Sequence, residues 1–329
     1  MKNNTSNNRI EFWDLLKGVA ILLVVYGHCL QNFTPYWQNN NILLLIYMFH
    51  MPLFIFISGY FFHPSAPKMS FKNFLIKKFF HLYLPSLFWG GFNVLLIIGN
   101  KLLNNSNIDI PYFIDLFFSG AWFLTALFII NLIGGIIESC NYRKKIRIWI
   151  FCYFIIYSIP PLWMINEIKF LMPFFITGIL IKRFEITRIP IYFFIIMLIL
   201  FTLCFHFYDF SYSLYAMQYN IIEVDYHFKS LIRFLSGFSG IVCISFLCHY
   251  LSPIFIQKLK SFLTYMGTIT LPIYVLHQNL LIPNRFLQYQ SDSIIIILLI
   301  TIICILLSII TYKVLCKFTI LKLLCFGEK

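Results

Sequence analysis

Apolar runs of about twenty residues recur ten times along this 329-residue chain, and they constrain its fold more than any other feature. A hydrocarbon layer roughly 30 Å thick is crossed by about 20 residues of helix. Backbone groups in lipid must pair within their own segment, so each run reads as a transmembrane helix. The runs fall near residues 15–33, 42–62, 82–98, 121–137, 147–163, 168–181, 189–207, 231–251, 263–283 and 294–316. The sixth is short and contains Pro173 and Gly178. The expected fold is all-α: a polytopic integral membrane protein of about ten spans, forming one transmembrane domain over 1–329. With 60% hydrophobic and 11% charged residues, the chain falls well short of the roughly 25% charge of a soluble domain.

The positions of the charges test the span count, because cytoplasmic loops collect Lys and Arg. Twenty of the 25 basic residues fall on one side when ten spans are drawn, among them Lys2, Arg9, Lys72, Arg143, Arg188, Lys258 and Lys317. Lys101, Lys169, Lys229, Arg233 and Arg285 fall on the other. Both termini are therefore expected in the cytoplasm. The net charge of +13 belongs to membrane orientation, which leaves no call for a nucleic-acid partner. Nine cysteines lie mostly in apolar runs with no C-x-x-C pair, so they read as buried thiols, with neither a zinc site nor a disulfide framework expected. No small-residue cleavage site follows the first run, which reads as a retained span.

Ionisable residues inside spans are costly and mark function, and the first span, DLLKGVAILLVVYGHCL, carries three: Asp14, Lys17 and His28. Eleven steps of 100° bring His28 about 20° past three full turns from Lys17, on nearly the same face and roughly 16 Å along the axis. Orientation puts Asp14 and Lys17 at the cytoplasmic edge and His28 in the outer half. His50 of the second span, Trp122 at the start of the fourth, and Tyr274 and His277 of the ninth fall at similar outer depth, which points to one polar cavity. Plainer roles exist for each. A membrane histidine also serves by hydrogen-bonding across a helix interface, Lys17 by snorkelling, Asp14 by capping and pairing with Lys17, and Trp122 in an interfacial belt. Pro52 and Gly59 permit a kink or close packing.

RIEFWDLLKGVAILLVVYGH, MPLFIFISGYFF, WFLTALF and TLPIYVLH, in this order over ten spans, resemble the bacterial membrane acyltransferase family 3. The likeness covers essentially the whole chain. It implies an enzyme of the bacterial cytoplasmic membrane that passes acyl groups, most often acetyl, onto sugar hydroxyls of a capsule, O-antigen, exopolysaccharide or lipid-linked precursor. The family's basic residue and histidine of the first span match Lys17 and His28. Its basic motif before a proline matches KKFFHLYLP, with Lys78 and Pro85 in place and His81 where Arg is usual.

Under that resemblance the co-substrate is a cytoplasmic acyl-coenzyme A, with no bound cofactor. Lys17, Asp14, Lys77, Lys78 and His81 form the expected donor mouth. His28, with an ordinary pKa near 6.5, is suited to take a proton from a sugar hydroxyl or to carry the acyl group covalently. Direct transfer and an acyl-histidine intermediate both remain open. His277 and Tyr274 are expected to orient the acceptor or stabilise an oxyanion, while His50 and Trp122 line the acceptor side. Partners implied are the bilayer, donor, glycan acceptor, and glycan-synthesis machinery or a second copy. The main rival reading is a transporter of a sugar-lipid or small anion, since buried Lys and His also mark substrate pathways. A noncatalytic assembly partner is a third, which requires His28 to be dispensable.

Overall fold

The computed structural model describes residues 2–62, 70–103, 110–119, 121–139, 145–160, 163–186, 188–208, 210, 224–251 and 256–328. Among them the chain is helical throughout, with no strand. The helices in order are α1 (Lys2–Phe33), α2 (Asn41–Tyr47), α3 (His50–Tyr60), α4 (Phe71–Lys78), α5 (Leu84–Leu103), α6 (Ile110–Ser119), α7 (Trp122–Ser139) and α8 (Lys145–Ser158). They continue as α9 (Ile165–Arg183), α10 (Ile191–Phe207), α11 (Val224–Leu251), α12 (Gln257–Thr268), α13 (Thr270–Leu287), α14 (Ile294–Leu315) and α15 (Thr319–Phe326). Six segments among the described residues are long and apolar enough to cross a membrane: Glu11–Phe33, Asn41–Tyr60, Phe71–Gly99, Trp122–Ser139, His227–Tyr250 and Ile294–Leu315. The pair α12 and α13 makes a seventh if counted as one span, and α10 is a shorter apolar helix.

Proline decides where these helices bend. A proline lacks an N–H, and its ring crowds the carbonyl four residues back, so it is tolerated in a first turn and disfavoured deeper in a helix. Pro52 and Pro272 each occupy the third position of their helices. The carbonyls they would meet belong to Met48 and Thr268, and the chain breaks beside both. Phe49 leaves helical geometry at φ −140° between α2 and α3. The axis turns by 86° between α12 and α13, so the ninth apolar run, expected as one straight helix over 263–283, is a sharply bent pair. Pro85 acts similarly on the carbonyl of His81, where residues Phe79–Tyr83 form a π-helical turn between α4 and α5. Such turns are rare and concentrate at functional places.

By contact density the chain divides into two compact units, Met1–Phe61 with Phe174–Tyr312, and Phe62–Pro173 with Lys313–Lys329. In the first, α1 packs along α12 at backbone distance. A Cβ on Gly18 would fall on the Leu263 carbonyl, and one on Gly267 on the Asp14 carbonyl. In the same unit Gly59 of α3 lies against the Phe175 carbonyl, while Gly178 of α9 lies against that of Phe56. Apolar surface gains nothing by leaving lipid for protein, so small residues and close contact hold such helices together.

In the second unit, Ser86 of α5 accepts a hydrogen bond from the Ala121 N–H (3.1 Å) and bonds the Thr125 hydroxyl (2.8 Å), fixing the start of α7. Tyr83 stacks on Phe128 at 4.9 Å. Two helices here occupy stretches expected to be irregular. Residues 110–119, read from sequence as outer loop, form the amphipathic α6, whose Phe117 packs against Gly91 of α5. Beyond the last apolar run, α15 docks on α5, where the Trp89 indole donates to the Cys325 carbonyl at 3.0 Å. The eight described cysteines are free thiols.

Candidate active site

The histidines expected at one depth meet in the first unit. Rings of His28 on α1 and His277 on α13 have centroids 5.2 Å apart. His50, first residue of α3, stacks with Tyr47 at 5.0 Å, and Tyr47 lies 6.4 Å from His28 edge to face. Tyr274, one turn before His277, is 6.0 Å from it. His50 and His277 are buried, whereas His28 is partly exposed. Of the three, only His28 keeps part of its surface open.

Hydrogen bonds fix how each imidazole can act. His277 Nδ1 lies 3.0 Å from the Ile273 carbonyl, and His50 Nδ1 lies 2.8 Å from that of Ile46. A carbonyl only accepts, so both Nδ1 atoms carry protons, and in the neutral ring Nε2 keeps its lone pair. Nε2 of His277 is buried without a hydrogen-bond partner among the described residues, which costs on the order of 1–3 kcal/mol. Uncompensated groups of this kind call for a functional explanation. His28 is hydrogen-bonded to the Gln31 side chain, whose Oε1 accepts from the Tyr47 hydroxyl at 2.8 Å. Below the rings, Cys29 and Cys304 are hydrogen-bonded to each other, and the Cys304 thiol lies 3.8 Å from the His277 carbonyl.

Gln31 and Tyr47 were not singled out from sequence, although each stands three residues from a histidine: Gln31 shares a face of α1 with His28, while Tyr47 and His50 flank the break between α2 and α3. Asn284 was missed as well. Its amide donates to the Asn32 carbonyl (2.9 Å) and the Tyr289 carbonyl (3.1 Å), tying the end of α13 to the end of α1.

At the other end of the face, Lys17 pairs with Asp14 at 2.6 Å and lies 5.7 Å over the Phe61 ring. Glu11 and Lys260 bridge α1 and α12 at 2.9 Å. The remaining expected residues belong to the second unit. Lys77 and His81 are exposed, and Lys78 sits 5.6 Å over the Phe74 ring. His81 hydrogen-bonds the backbone at Gly327, whose left-handed φ of 66° caps α15. Trp122 opens α7 partly exposed, edge-on to Phe123 at 6.0 Å. Among the described residues, no group of His, Cys, Asp or Glu is placed to hold a metal ion. Lys169, counted on the outer side at the start of the sixth apolar run, is 1% exposed and donates to the Ile159 carbonyl.

Residues 10–313 match the acyltransferase domain of the type 3 family. The chain belongs to that acyltransferase family. The match contains every residue discussed at both ends of α1, at the π-turn and in the histidine cluster, and α15 lies beyond it. Among curated proteins, the chain is 30% identical over 200 residues to the nodulation protein NolL of Mesorhizobium japonicum, covering 54% of this chain and 49% of the relative. It is 31% identical over 191 residues to NolL of Sinorhizobium fredii, covering 54% and 50%. The aligned regions thus span about half the length of these relatives. No solved structure matches.

Proposed function

We propose that this member of the acyltransferase family is a multi-pass enzyme of the bacterial cytoplasmic membrane. It transfers an acetyl group from cytoplasmic acetyl-coenzyme A to a sugar hydroxyl of a surface polysaccharide or its lipid-linked precursor. The observation that carries this reading is the His28 ring 5.2 Å from that of His277, whose buried Nε2 has no hydrogen-bond partner among the described residues, in a chain of this family. The topology is ten spans with both termini cytoplasmic, counting α8, α9 and α10 as short spans beside the six long segments and the bent pair.

The donor approaches from Lys17, whose ammonium holds one of its phosphates. His28 removes the proton from the acceptor hydroxyl as its oxygen forms a bond to the thioester carbonyl carbon. The carbon–sulfur bond then breaks, and the leaving thiolate takes the proton from the His28 imidazolium. The route through an acyl-His28 intermediate gives the same products by two displacements. General-base help of this kind contributes about 10²- to 10⁴-fold. Neutral His277 offers only a lone pair at Nε2, so it orients the hydroxyl or relays its proton. Donation to the oxyanion falls to Tyr274. His50 contacts the sugar.

Mass spectrometry of surface glycan from a deletion strain, the complemented strain and one carrying His28→Ala tests the proposal. Acylation is expected to vanish on deletion, return with the intact gene, and stay absent with His28→Ala at normal protein level. Unchanged acylation in the variant would overturn the role of His28.

A further inference from the structure

A cavity of about 550 Å³ lies within the unit formed by residues 1–61 and 174–312. Its walls come from the first residues of the α1 span and of α10, the last turns of α3, α9 and α11, and Ile186, Arg188, Ile189 and Pro190 between α9 and α10. These are the helix ends that the Lys and Arg pattern assigns to the cytoplasmic side. Trp13 in its wall precedes His28 by fifteen residues, roughly 22 Å of helix, so this cavity is separate from the histidine cluster. Its volume suits a small ligand, for which pockets run roughly 300–1,000 Å³.

The walls are largely aromatic, with Trp13, Tyr60, Tyr192, Phe193, Phe246 and Tyr250 prominent, a surface that accepts hydrocarbon. Ser245 interrupts it. This residue is 8% exposed, and its buried hydroxyl has no hydrogen-bond partner. Ser236 and Ser239 on the same helix return their protons to the carbonyls of Arg233 (3.0 Å) and Leu235 (2.6 Å), the usual solution for a serine in an apolar helix. Ser245 departs from that solution in the wall of a cavity. One turn further toward the helix end, His249 lines the same cavity, and Arg188 stands exposed in its wall. Lys182 and Arg183 close the last turn of α9 nearby in sequence.

We propose that this cavity seats one anionic glycerophospholipid of the cytoplasmic leaflet. Arg188 and His249 take the phosphate, the Ser245 hydroxyl donates to an ester carbonyl, and the aromatic wall holds the acyl chain. The spacing selects this occupant. Ser245 and His249 are separated by four residues, roughly 6 Å along the helix, and in a glycerophospholipid only a few bonds separate phosphate from ester. A polyprenyl phosphate has no carbonyl to satisfy Ser245, and in acyl-coenzyme A the thioester lies a whole pantetheine arm from the phosphates. A lipid seated here touches five helix ends at once, including the turn of α1 that precedes Asp14. The inference does not rest on the acyl-transfer reading.

Native mass spectrometry of the full chain, purified in non-ionic detergent and exposed to phosphatidylglycerol, tests it. The wild-type chain is expected to retain one lipid, and Val242→Trp, which fills the cavity, to retain none. Arg188→Gln, at an exposed position that leaves packing intact, should weaken retention about tenfold, the worth of one charge-assisted hydrogen bond. The wild type should prefer the diester to the dialkyl-ether form of phosphatidylglycerol, and Ser245→Ala should erase that preference. Equal retention in wild type and Arg188→Gln, equal retention of diester and diether by the wild type, or preference for a polyprenyl phosphate would each overturn the proposal.

Discussion

The two ends of α1 are built on opposite principles. At the end that the Lys and Arg pattern assigns to the cytoplasm, the inner end, the backbone itself is gripped, with Gly18 and Gly267 letting α1 and α12 touch main chain to main chain. Ion pairs from Asp14 to Lys17 and from Glu11 to Lys260 stand at that end. At the outer end side chains do the joining. His28 reaches Gln31, Gln31 reaches Tyr47, and the helix end is tied down through the Asn284 amide and the Ser291 N–H, which donates to the Phe33 carbonyl at 2.7 Å. A backbone crossing fixes position without using functional groups, while a side-chain network keeps those groups available. The contrast separates a scaffold from a candidate reaction site on a single helix.

Removing the imidazole at the outer end should give the largest effect. His28→Ala is expected to lower acyl transfer in isolated membranes by about 10³-fold, with protein level and thermal unfolding close to wild type. A variant that loses activity and melting temperature together would mean that His28 belongs to the scaffold. Next comes the crossing at the inner end. Gly267→Ala drives a methyl group into the Asp14 carbonyl, and overpacking of this kind costs about 1–3 kcal/mol. Thermal unfolding in detergent should show the loss, with the remaining folded protein keeping normal donor and acceptor dependence. An unshifted unfolding curve would mean that α1 and α12 separate easily.

Between these lies His277. In His277→Asn the side-chain amide can still donate to the Ile273 carbonyl, as Asn279 does to Val275 at 2.7 Å, but the lone pair at the Nε2 position is lost. A fall of about tenfold to a hundredfold in turnover is expected, worth 1.4–2.7 kcal/mol, with stability unchanged. Activity equal to wild type would remove His277 from the proton path and leave His28 acting with Gln31 alone.

How far the sequence reveals this contrast depends on the physical signal involved. Hydrophobic runs and basic loops are carried by many residues, so the helical membrane fold shows plainly. The pairing of His28 with His277, 249 positions apart, rested on equal depth in an orientation derived from charge, and the rings do meet. The bend before Pro272 was legible in principle, since that proline strands the Thr268 carbonyl, yet an unbroken apolar run masked it. The crossing of Gly18 and Gly267 was not legible, because glycine carries no mark of the partner it approaches. Nor was α6, whose amphipathic pattern shares its length and polarity with an outer loop. Depth could align residues along the membrane normal, but could not say whether Lys17 and the KKFFHLYLP motif stand side by side.

The smallest predicted effect bears on the inner end and separates donor holding from mere anchoring. Lys17 is partly exposed, and its pair with Asp14 is an i,i+3 contact at the helix start, worth only a few tenths of a kcal/mol to folding. Substitution there should therefore leave unfolding unmoved and act on the ligand alone. If Lys17 holds a phosphate of the donor, Asp14 competes for the same ammonium, and the two residues should push donor affinity in opposite directions. Lys17→Met is expected to raise the KM for acetyl-coenzyme A about five- to tenfold, near 1–1.4 kcal/mol, with kcat within about twofold. Asp14→Asn should lower that KM by about twofold to threefold, and the change should shrink as salt screens the charge. A lysine that only snorkels to lipid headgroups predicts no shift in either variant. Equal KM values across wild type, Lys17→Met and Asp14→Asn at low salt would return this end of α1 wholly to the scaffold.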